Sequence, residues 1–149
     1  MITVIISSDE HLKKILDWLK NEQHKTGEGF YCNREIIVDS HKKGEVHVAI
    51  ESGIVIGFVV DHLYSLYHGS SIDILEVHPN HRNRGVGKVL ALDSISRLFE
   101  LGADLVNVEC APSSSEAFWL KLGFKPKGDF QTSIRGNPKL VFSKTSKLS

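Results

Sequence analysis

The stretch from Ile72 to Leu101 constrains the fold of this chain most, because it changes from a strand pattern to a helix pattern. Residues 72–79 (IDILEVHP) are mainly apolar, a basic loop with two glycines follows, and apolar residues then recur at helical spacing. Gly85 and Gly87 have no Cβ, so the backbone can turn tightly there and approach a ligand closely. A strand, a glycine turn and a helix in this order predict a binding site at the start of the helix.

The loop before this helix has the features of a phosphate site. The first turn of a helix leaves several backbone N–H groups without an intrahelical partner, and the positive end of the helix dipole lies there. Arg82, Arg84 and Lys88 flank these donors in the sequence. Donors and cations together favour a polyanionic ligand.

Strand and helix patterns cover most of the remaining chain. The N-terminal part predicts a strand at Thr3–Ile6 and an amphipathic helix from about Asp9 to Lys20, which a capping box of Ser7 and Glu10 would open. Residues 21–43 are polar and interrupted by glycines. They are consistent either with a short helix and a loop that lines a substrate site, or with a plain surface connection.

The later elements are predicted from alternation, helical spacing and turn residues. They are strands at residues 45–51, 54–63 and 70–78, a helix from about residue 86 that Gly102 ends, a strand at 105–108, a helix with a capping box of Ser113 and Glu116 that Gly123 ends, and strands at 130–134 and 140–142. This order predicts a mixed α/β (α+β) domain. The helix after Gly85 should join two parallel strands through a right-handed crossover.

Composition limits the functional classes. A chain of 149 residues with 41% hydrophobic and 24% charged residues is expected to form one globular domain, residues 1–149. The formal net charge is zero, which argues against nucleic acid or an anionic membrane as a partner. Cys32 and Cys110 match no metal or disulfide pattern, and no apolar run is long enough to cross a bilayer. We therefore expect a soluble cytoplasmic protein with reduced thiols.

Two common phosphate loops fit the glycine stretch poorly. A nucleotide-triphosphate loop requires a glycine where Arg82 stands and a Ser or Thr where Val89 stands. A dinucleotide fingerprint requires a third glycine where Leu90 stands and a tight turn directly after the strand, although Glu109 could imitate its ribose-binding acid. The first is excluded, and the loop before Gly85 argues against the second.

A third pattern fits. Residues 82–87 (RNRGVG) match the R/Q-x-x-G-x-G/A pyrophosphate loop, and the chain resembles the GNAT superfamily of N-acetyltransferases. Residues 75–79 (LEVHP) look like the strand that precedes this loop in the family. Residues 115–124 (SEAFWLKLGF) resemble its second signature, an aromatic helix closed by Leu-Gly-Phe. The resemblance implies a mixed central sheet that splays at an acyl-CoA site and is flanked by helices.

The resemblance also implies an activity. The chain would transfer an acetyl or other acyl group from acetyl-CoA, its co-substrate, to a primary amine by direct attack, without a metal. Binding of the co-substrate is expected at the strand before the loop, at the loop itself and at the second signature. These residues are Leu75, Val77, Arg82, Asn83, Arg84, Gly85, Val86, Gly87, Lys88, Ser113, Ser114 and Trp119.

The sequence departs from the family at two positions. Trp119 stands where the family often has a tyrosine that protonates the departing thiolate, and an indole has no such acid. Pro112 stands where an asparagine often contacts the pantetheine, and Ser113 or Ser114 could replace that contact. These departures motivate an alternative function, a catalytically silent acyl-CoA sensor or regulatory module.

Three carboxyl groups are candidates for the general base. Glu76 is the first, because it lies on the strand beside the expected acetyl position. Asp73 lies on the opposite face of that strand by alternation, and Glu109 ends the next strand. For Glu76 the competing interpretation is a solvent-facing strand carboxylate. His78 and His81 could be a base or a phosphate ligand, but they read more simply as loop residues.

The acceptor cannot be read from the sequence. A small-molecule amine and a protein amine both fit, and zero net charge gives no preference for a polycationic acceptor. The oligomeric state is also left open, a homodimer included.

Overall fold

The computed structural model of the chain describes residues 1–27, 29–64, 69–128 and 132–145. Seven strands lie within these ranges: β1 (Thr3–Ile6), β2 (Val46–Glu51), β3 (Ile54–Leu63), β4 (Ser70–Val77), β5 (Leu105–Glu109), β6 (Lys125–Pro126) and β7 (Lys139–Ser143). The α-helices of the same ranges are α1 (Asp9–Thr26), α2 (Arg34–Lys42), α3 (Val86–Glu100) and α4 (Glu116–Leu122). None of the helices described has the length and apolar character needed to span a membrane.

The strands form one mixed sheet in the order β1-β2-β3-β4-β5-β7-β6. β1 pairs with β2, β2 with β3, and β7 with both β5 and β6, all in the antiparallel sense. β4 and β5 are parallel, with Ser71 opposite Asn107 and Ile72 opposite Val108. This arrangement confirms the predicted mixed α/β fold and the crossover through α3.

The chain divides into two compact units. The first comprises Met1–Val60 and Ile74–Asp93. Its apolar core combines one face of α1, Ile37 of α2 and the inner faces of β2, β3 and β4. The fully buried or nearly buried members include Ile15, Trp18, Leu19, Val46, Val48, Phe58 and Ile74.

The second unit comprises Asp61–Asp73 and Ser94–Ser149. Its buried apolar residues include Leu98, Phe124 and Phe142, and the rings of the two phenylalanines lie 5.4 Å apart. A buried polar cluster joins β3 to α3. Asp61 Oδ2 accepts hydrogen bonds from Ser94 Oγ (2.6 Å) and Arg97 Nη2 (2.8 Å). The expectation that residues 1–149 form a single domain stays a prediction.

The hairpin between β2 and β3 follows the sequence prediction. Ser52 and Gly53 both have positive φ values, 51° and 77°. Two successive residues in the left-handed region match the twist of paired strands, which is why a Ser-Gly pair serves here.

The predicted capping boxes are both wrong. α1 begins at Asp9 as predicted, but its capping box lies one residue later than expected: Ser8 Oγ accepts from His11 N, and His11 Nδ1 accepts from Ser8 N, so Ser8 and His11 replace Ser7 and Glu10. The segment opened by Ser113 is first a short 3₁₀ turn, Ser113–Ser115, and α4 then starts at Glu116 without a side-chain cap.

The end of α1 and the strand predicted at residues 130–134 also differ from the prediction. α1 continues to Thr26 instead of ending near Lys20, because Gly27, with φ of 72°, is the first residue that ends it. Residues 31–42 contain a 3₁₀ turn and α2, so the short helix is present. Part of the strand predicted at residues 130–134 falls outside the described residues. Thr132 makes an isolated bridge with Pro138, and β7 pairs instead with β6.

Candidate active site

The start of α3 is shaped by two left-handed residues. Asn83 has φ of 63° and Gly85 has φ of 81°. The bond from Val89 N to Gly85 O (3.1 Å) closes the first helical turn. The N–H groups of residues 86–88 precede that bond and have no acceptor within the helix. A Cβ added at Gly85 would meet no heavy atom within 4 Å. The loop therefore exposes bare backbone beside a row of helix donors.

Gly57 fixes the depth at which this helix start packs on the sheet. A Cβ at Gly57 would lie 2.9 Å from Leu90 Cδ1, 3.3 Å from Val86 Cγ1 and 3.1 Å from the backbone oxygen of Glu76. A side chain at this position would require Leu90 to shift and the Glu76 backbone to give way by a few tenths of an ångström. The loop is held in place by β3 through a glycine whose role is packing.

Arg84 is held at the outer side of the loop. Its Nη2 donates to both carboxylate oxygens of Glu51, at 2.9 and 3.0 Å, and its Nη1 lies 2.9 Å from Nδ1 of His81. The hydrogen bonds from Arg84 hold the pKa of Glu51 below its usual value. Arg84 is thus oriented at the edge of the predicted phosphate loop, with nearly half of its side chain exposed.

Arg82 turns inward. Its Nε donates to the backbone oxygen of Val77 (3.0 Å), and its Nη2 donates to Glu22 Oε2 (3.0 Å) and Glu76 Oε1 (3.3 Å). Glu22 belongs to α1, 60 positions earlier in the chain. The guanidinium therefore ties the end of β4 to α1 through two carboxyl groups.

Glu76 is a buried carboxyl group, not the solvent-facing strand residue of the competing interpretation. Its exposed fraction is 6%, and Oε2 has no hydrogen-bond donor among the described residues. The pKa of Glu76 is raised to about 9, first by burial and then by the neighbouring Glu22 carboxyl, while Arg82 opposes both effects. At neutral pH Glu76 therefore retains its proton.

The backbone of β4 presents alternate residues to opposite edges. His78 N donates to Ile56 O of β3 (2.8 Å), and the Glu76 oxygen also lies on the β3 side, next to Gly57. Leu75 and Val77 alternate with these positions, so their N–H and C=O groups point away from β3. This is the edge at which the sequence places the pantetheine.

His78 is a fixed, partly buried imidazole. Its ring packs edge-on against Trp18 with centroids 5.2 Å apart, and its Nδ1 accepts from Asn80 N at 3.1 Å. Burial lowers the pKa of His78, and the neighbouring His81 adds to this. The ring is neutral at neutral pH, and the Nδ1 lone pair is already used by the backbone.

The second unit contains the other two carboxyl candidates, and the structure brings them together. Asp73 and Glu109 line one pocket of about 270 Å³, together with Tyr64, Ser71, Lys127 and Lys139 among other residues. Asp73 is oriented by a chain of hydroxyl groups: Tyr64 Oη donates to Ser71 Oγ (2.9 Å), and Ser71 Oγ donates to Asp73 Oδ1 (2.7 Å). Both carboxyl groups therefore line the same space.

The second sequence signature has a packing role in the same unit. Trp119 is 5% exposed, and its ring contacts Phe118 and Phe124 with centroids 4.9 and 5.1 Å away. Ser113 and Ser114 are exposed on the 3₁₀ turn. Burial raises the pKa of the nearby Cys110 thiol to about 11, so that sulfur is unreactive near neutral pH.

A family model described as the acetyltransferase (GNAT) family matches residues 10–124 of the 149. This match includes β4, the glycine loop, α3 and the Leu-Gly-Phe signature. The chain belongs to the GNAT family of acetyltransferases. The family membership predicted from the two signatures is therefore confirmed. A comparison with curated protein sequences gives no match.

Several solved structures share this fold. PaiA N-acetyltransferase from Thermoplasma acidophilum, in complex with coenzyme A, superposes with a TM-score of 0.76 at 15% identity, over 96% of this chain and 99% of that one. Ard1 from Thermoplasma volcanium gives 0.74 at 23% identity, over 95% and 97%. N-acetylglutamate synthase from Neisseria gonorrhoeae, complexed with coenzyme A and N-acetyl-glutamate, gives 0.76 at 13% identity over 96% of this chain but 35% of that one. At these identities the likeness shows the fold alone.

Several residues of the two sites were missed by the sequence reasoning. Glu22 and Glu51 hold the loop arginines, while Lys127 and Lys139 line the pocket of Asp73. Each lies on an element remote in sequence from the residue it accompanies. The two loop arginines were the available signal, because a pair of cations near a buried strand requires acidic partners.

Proposed function

We propose that the chain transfers an acyl group, an acetyl group in the simplest case, from acyl-CoA to an amine of an acceptor. The geometry at the start of α3 carries the proposal: helix donors at residues 86–88 stand beside Gly85, where bare backbone is exposed. A pyrophosphate could approach this loop as closely as its hydrogen bonds require. The cytoplasm is the proposed location, in keeping with Cys32 and Cys110 as free thiols.

The residues expected to bind acyl-CoA have separate roles. The amides of residues 86–88 would take the pyrophosphate oxygens, with Lys88 and the exposed part of Arg84 adding positive charge. The outward backbone groups of Leu75 and Val77 would hold the pantetheine arm and the thioester carbonyl. Arg82 would contribute mainly by fixing the loop to Glu22 and Glu76, since its guanidinium already binds both.

The proposed reaction is a direct acyl transfer. The amine nitrogen attacks the thioester carbonyl carbon, so a C–N bond forms and the C–S bond breaks. The amine loses one proton and the departing thiolate gains one, which leaves an amide and free CoA. The protein would contribute by positioning the reactants, stabilising the carbonyl oxygen and accepting the amine proton.

Asp73 is the base that the geometry favours. A general base needs a free lone pair at the working pH, and Glu76 retains its proton at neutral pH because of burial and Glu22. Asp73 instead lines an open pocket and is oriented through Ser71. Glu76 would serve as base only as the pH approaches 9. A reaction that uses Asp73 as the base and one that uses Glu76 therefore require different pH dependences.

Trp119 cannot supply the proton that the departing thiolate needs. The indole is buried against Phe118 and Phe124, and it offers an N–H donor but no titratable proton. Water is the proposed proton source. The competing function is a sensor that binds acyl-CoA without transferring the acyl group. A measurement of acyl transfer decides between the two functions.

The test of the loop is a pair of glycine variants, Gly85→Ala and Gly102→Ala. Both glycines have positive φ values, 81° and 104°, and open space around an added Cβ. Both variants should lose about 1–2 kcal/mol of stability, because an alanine is strained in the left-handed region. They stand at opposite ends of α3, so Gly102→Ala controls for strain alone.

Affinity for CoA, measured by isothermal titration calorimetry, should separate the two variants. We expect Gly85→Ala to weaken binding about tenfold or more, because its methyl group would occupy the open space beside the loop and hold the pyrophosphate away from backbone donors, whose charge-assisted hydrogen bonds contribute about 1.5–3 kcal/mol each. Gly102→Ala should bind CoA like the unmodified protein. Equal affinity in both variants would contradict the proposed loop.

A further inference from the structure

Arg84, the second arginine of the glycine loop, already binds a carboxylate of the protein. Its Nη2 donates to Glu51 Oε1 at 2.9 Å and to Glu51 Oε2 at 3.0 Å. An arginine has no acceptor atom, so its Nη1 is the donor in the 2.9 Å contact with His81 Nδ1. Both terminal nitrogens of the guanidinium are therefore engaged within the protein.

A phosphate requires the same donors as this carboxylate. Guanidinium groups bind carboxylates and phosphates through the same planar set of N–H groups. Both oxygens of Glu51 lie on Nη2 of Arg84, and their negative charge opposes a second anion at that nitrogen. A phosphate that binds Arg84 through Nη2 must therefore displace Glu51.

The β2–β3 hairpin presents Glu51 to the loop. Glu51 is the last residue of β2, it pairs with Ile54 of β3, and the tight turn at Ser52 and Gly53 follows directly. The hydrogen bonds from Arg84 hold the pKa of Glu51 below its usual value, so its side chain is ionised at neutral pH. The fold therefore keeps a negative charge next to Arg84 at neutral pH.

The two arginines of the loop differ in how firmly they are held. The carboxyl partners of Arg82, Glu22 and Glu76, have side chains that are 10% and 5% exposed. The side chain of Glu51 is 23% exposed and that of Arg84 is 46% exposed. An ion pair that is open to water contributes little to stability, because water competes for both charges. Arg84 is therefore the arginine that an arriving anion can recruit at lower cost.

We propose that Glu51 competes with the phosphates of acyl-CoA for Arg84 and thereby lowers the affinity of the protein for CoA. Without the ligand, Arg84 binds Glu51. With the ligand, Nη2 of Arg84 turns to a phosphate oxygen, and the Glu51 carboxylate is left to water. The inference rests on the proposed acyl-CoA loop, since only that function brings a phosphate to Arg84.

The first test is the CoA affinity of Glu51→Gln, measured by isothermal titration calorimetry. We expect CoA to bind about two- to fivefold more tightly, the range that one exposed ion pair spans. The control is Glu100→Gln, which removes the same charge at the other end of the 15-residue helix α3 and should leave the affinity unchanged. Unchanged or weaker binding in Glu51→Gln would overturn the proposal, because Glu51 would then only orient Arg84.

A double-mutant cycle shows whether Glu51 acts through Arg84. Arg84→Gln should weaken CoA binding, and adding Glu51→Gln to it should change the affinity no further, because the contested guanidinium is gone. A gain in the double variant as large as that of Glu51→Gln alone would overturn competition. It would show that Glu51 acts on the ligand only through its charge.

The glycine variant separates failure of this inference from failure of the proposed function. If Gly85→Ala weakens CoA binding but Glu51→Gln does not strengthen it, the loop stands and the competition is overturned. If neither Gly85→Ala nor Arg84→Gln changes the affinity for CoA, the proposed loop fails and the competition fails with it.

Discussion

The protonated state of Glu76 has a direct thermodynamic consequence. Replacement by glutamine keeps the size of the side chain and removes its titration. The pKa of Glu76 is raised from 4.5 to about 9 by burial and by Glu22, so between these values the folded state retains a proton that the unfolded state releases. The stability associated with that proton is fully present below about pH 4.5 and is lost as the pH rises toward 9.

The expected size follows from linkage. One additional proton bound by the folded state lowers the free energy of unfolding by about 1.4 kcal/mol for each pH unit. Between pH 6 and pH 8 the unmodified protein should therefore lose about 3 kcal/mol relative to Glu76→Gln. Because the Glu22 carboxyl interacts with Glu76, the change of the unfolding free energy with pH is assigned to the two carboxyl groups together.

Urea unfolding at pH 6, 7 and 8 measures this difference. Other titrating groups cancel when the variant is subtracted from the unmodified protein. Glu100→Gln, at the exposed end of α3, controls for removal of a carboxyl group and should give a much smaller slope. A difference between Glu76→Gln and the unmodified protein that stays constant with pH would refute the reasoning, because Glu76 would then be ionised in the folded state.

Three further predictions test the packing and the base. Gly57→Ala should destabilise the protein by about 1–3 kcal/mol and weaken CoA binding, since the added Cβ would lie 2.9 Å from Leu90 Cδ1. Thermal unfolding measures the stability and calorimetry the CoA affinity, and no change in either would contradict the packing argument. Asp61→Ala should cost about 1–3 kcal/mol in urea unfolding, because it removes the buried carboxylate that accepts from Ser94 and Arg97. A loss below about 1 kcal/mol would show that water replaces the carboxylate. Asp73→Asn should lower kcat about 100-fold or more, as expected for loss of a general base. It should not change the pH dependence of the unfolding free energy that is assigned to Glu76 and Glu22. An unchanged kcat would show that Asp73 is not the base.

Local signals in the sequence predicted the fold well. Alternating apolar residues located β2 and β3, and the Ser52-Gly53 pair located the turn between them. The helical spacing after Gly85 located α3. These features depend on neighbours in sequence, so they can be read without the fold.

The failures have a common physical cause. The cap of α1 depends on which of two adjacent serines faces His11, and spacing alone does not decide this. The environment of Glu76 is set by Glu22, which folding brings from α1. A solvent-facing strand carboxylate and a buried protonated one look identical in the sequence.

The candidate sites divide in the same way. The glycine loop was predicted because its chemistry is contained in six consecutive residues, 82–87. The pocket was not, because it combines residues of β4 and β5 with Lys127 and Lys139. The grouping of Asp73 with two lysines depends on the strand order, which the sequence does not display.

Product formation from acetyl-CoA tests the central claim most directly. The protein is incubated with acetyl-CoA and with amino acids and amines in separate reactions, and mass spectrometry detects acetylated acceptor while a thiol assay follows release of CoA. We predict amine-dependent release of CoA with one acetylated product for each CoA formed, saturable in both substrates. Tight binding of acetyl-CoA without acetylation of any acceptor would contradict the transferase and favour the acyl-CoA sensor.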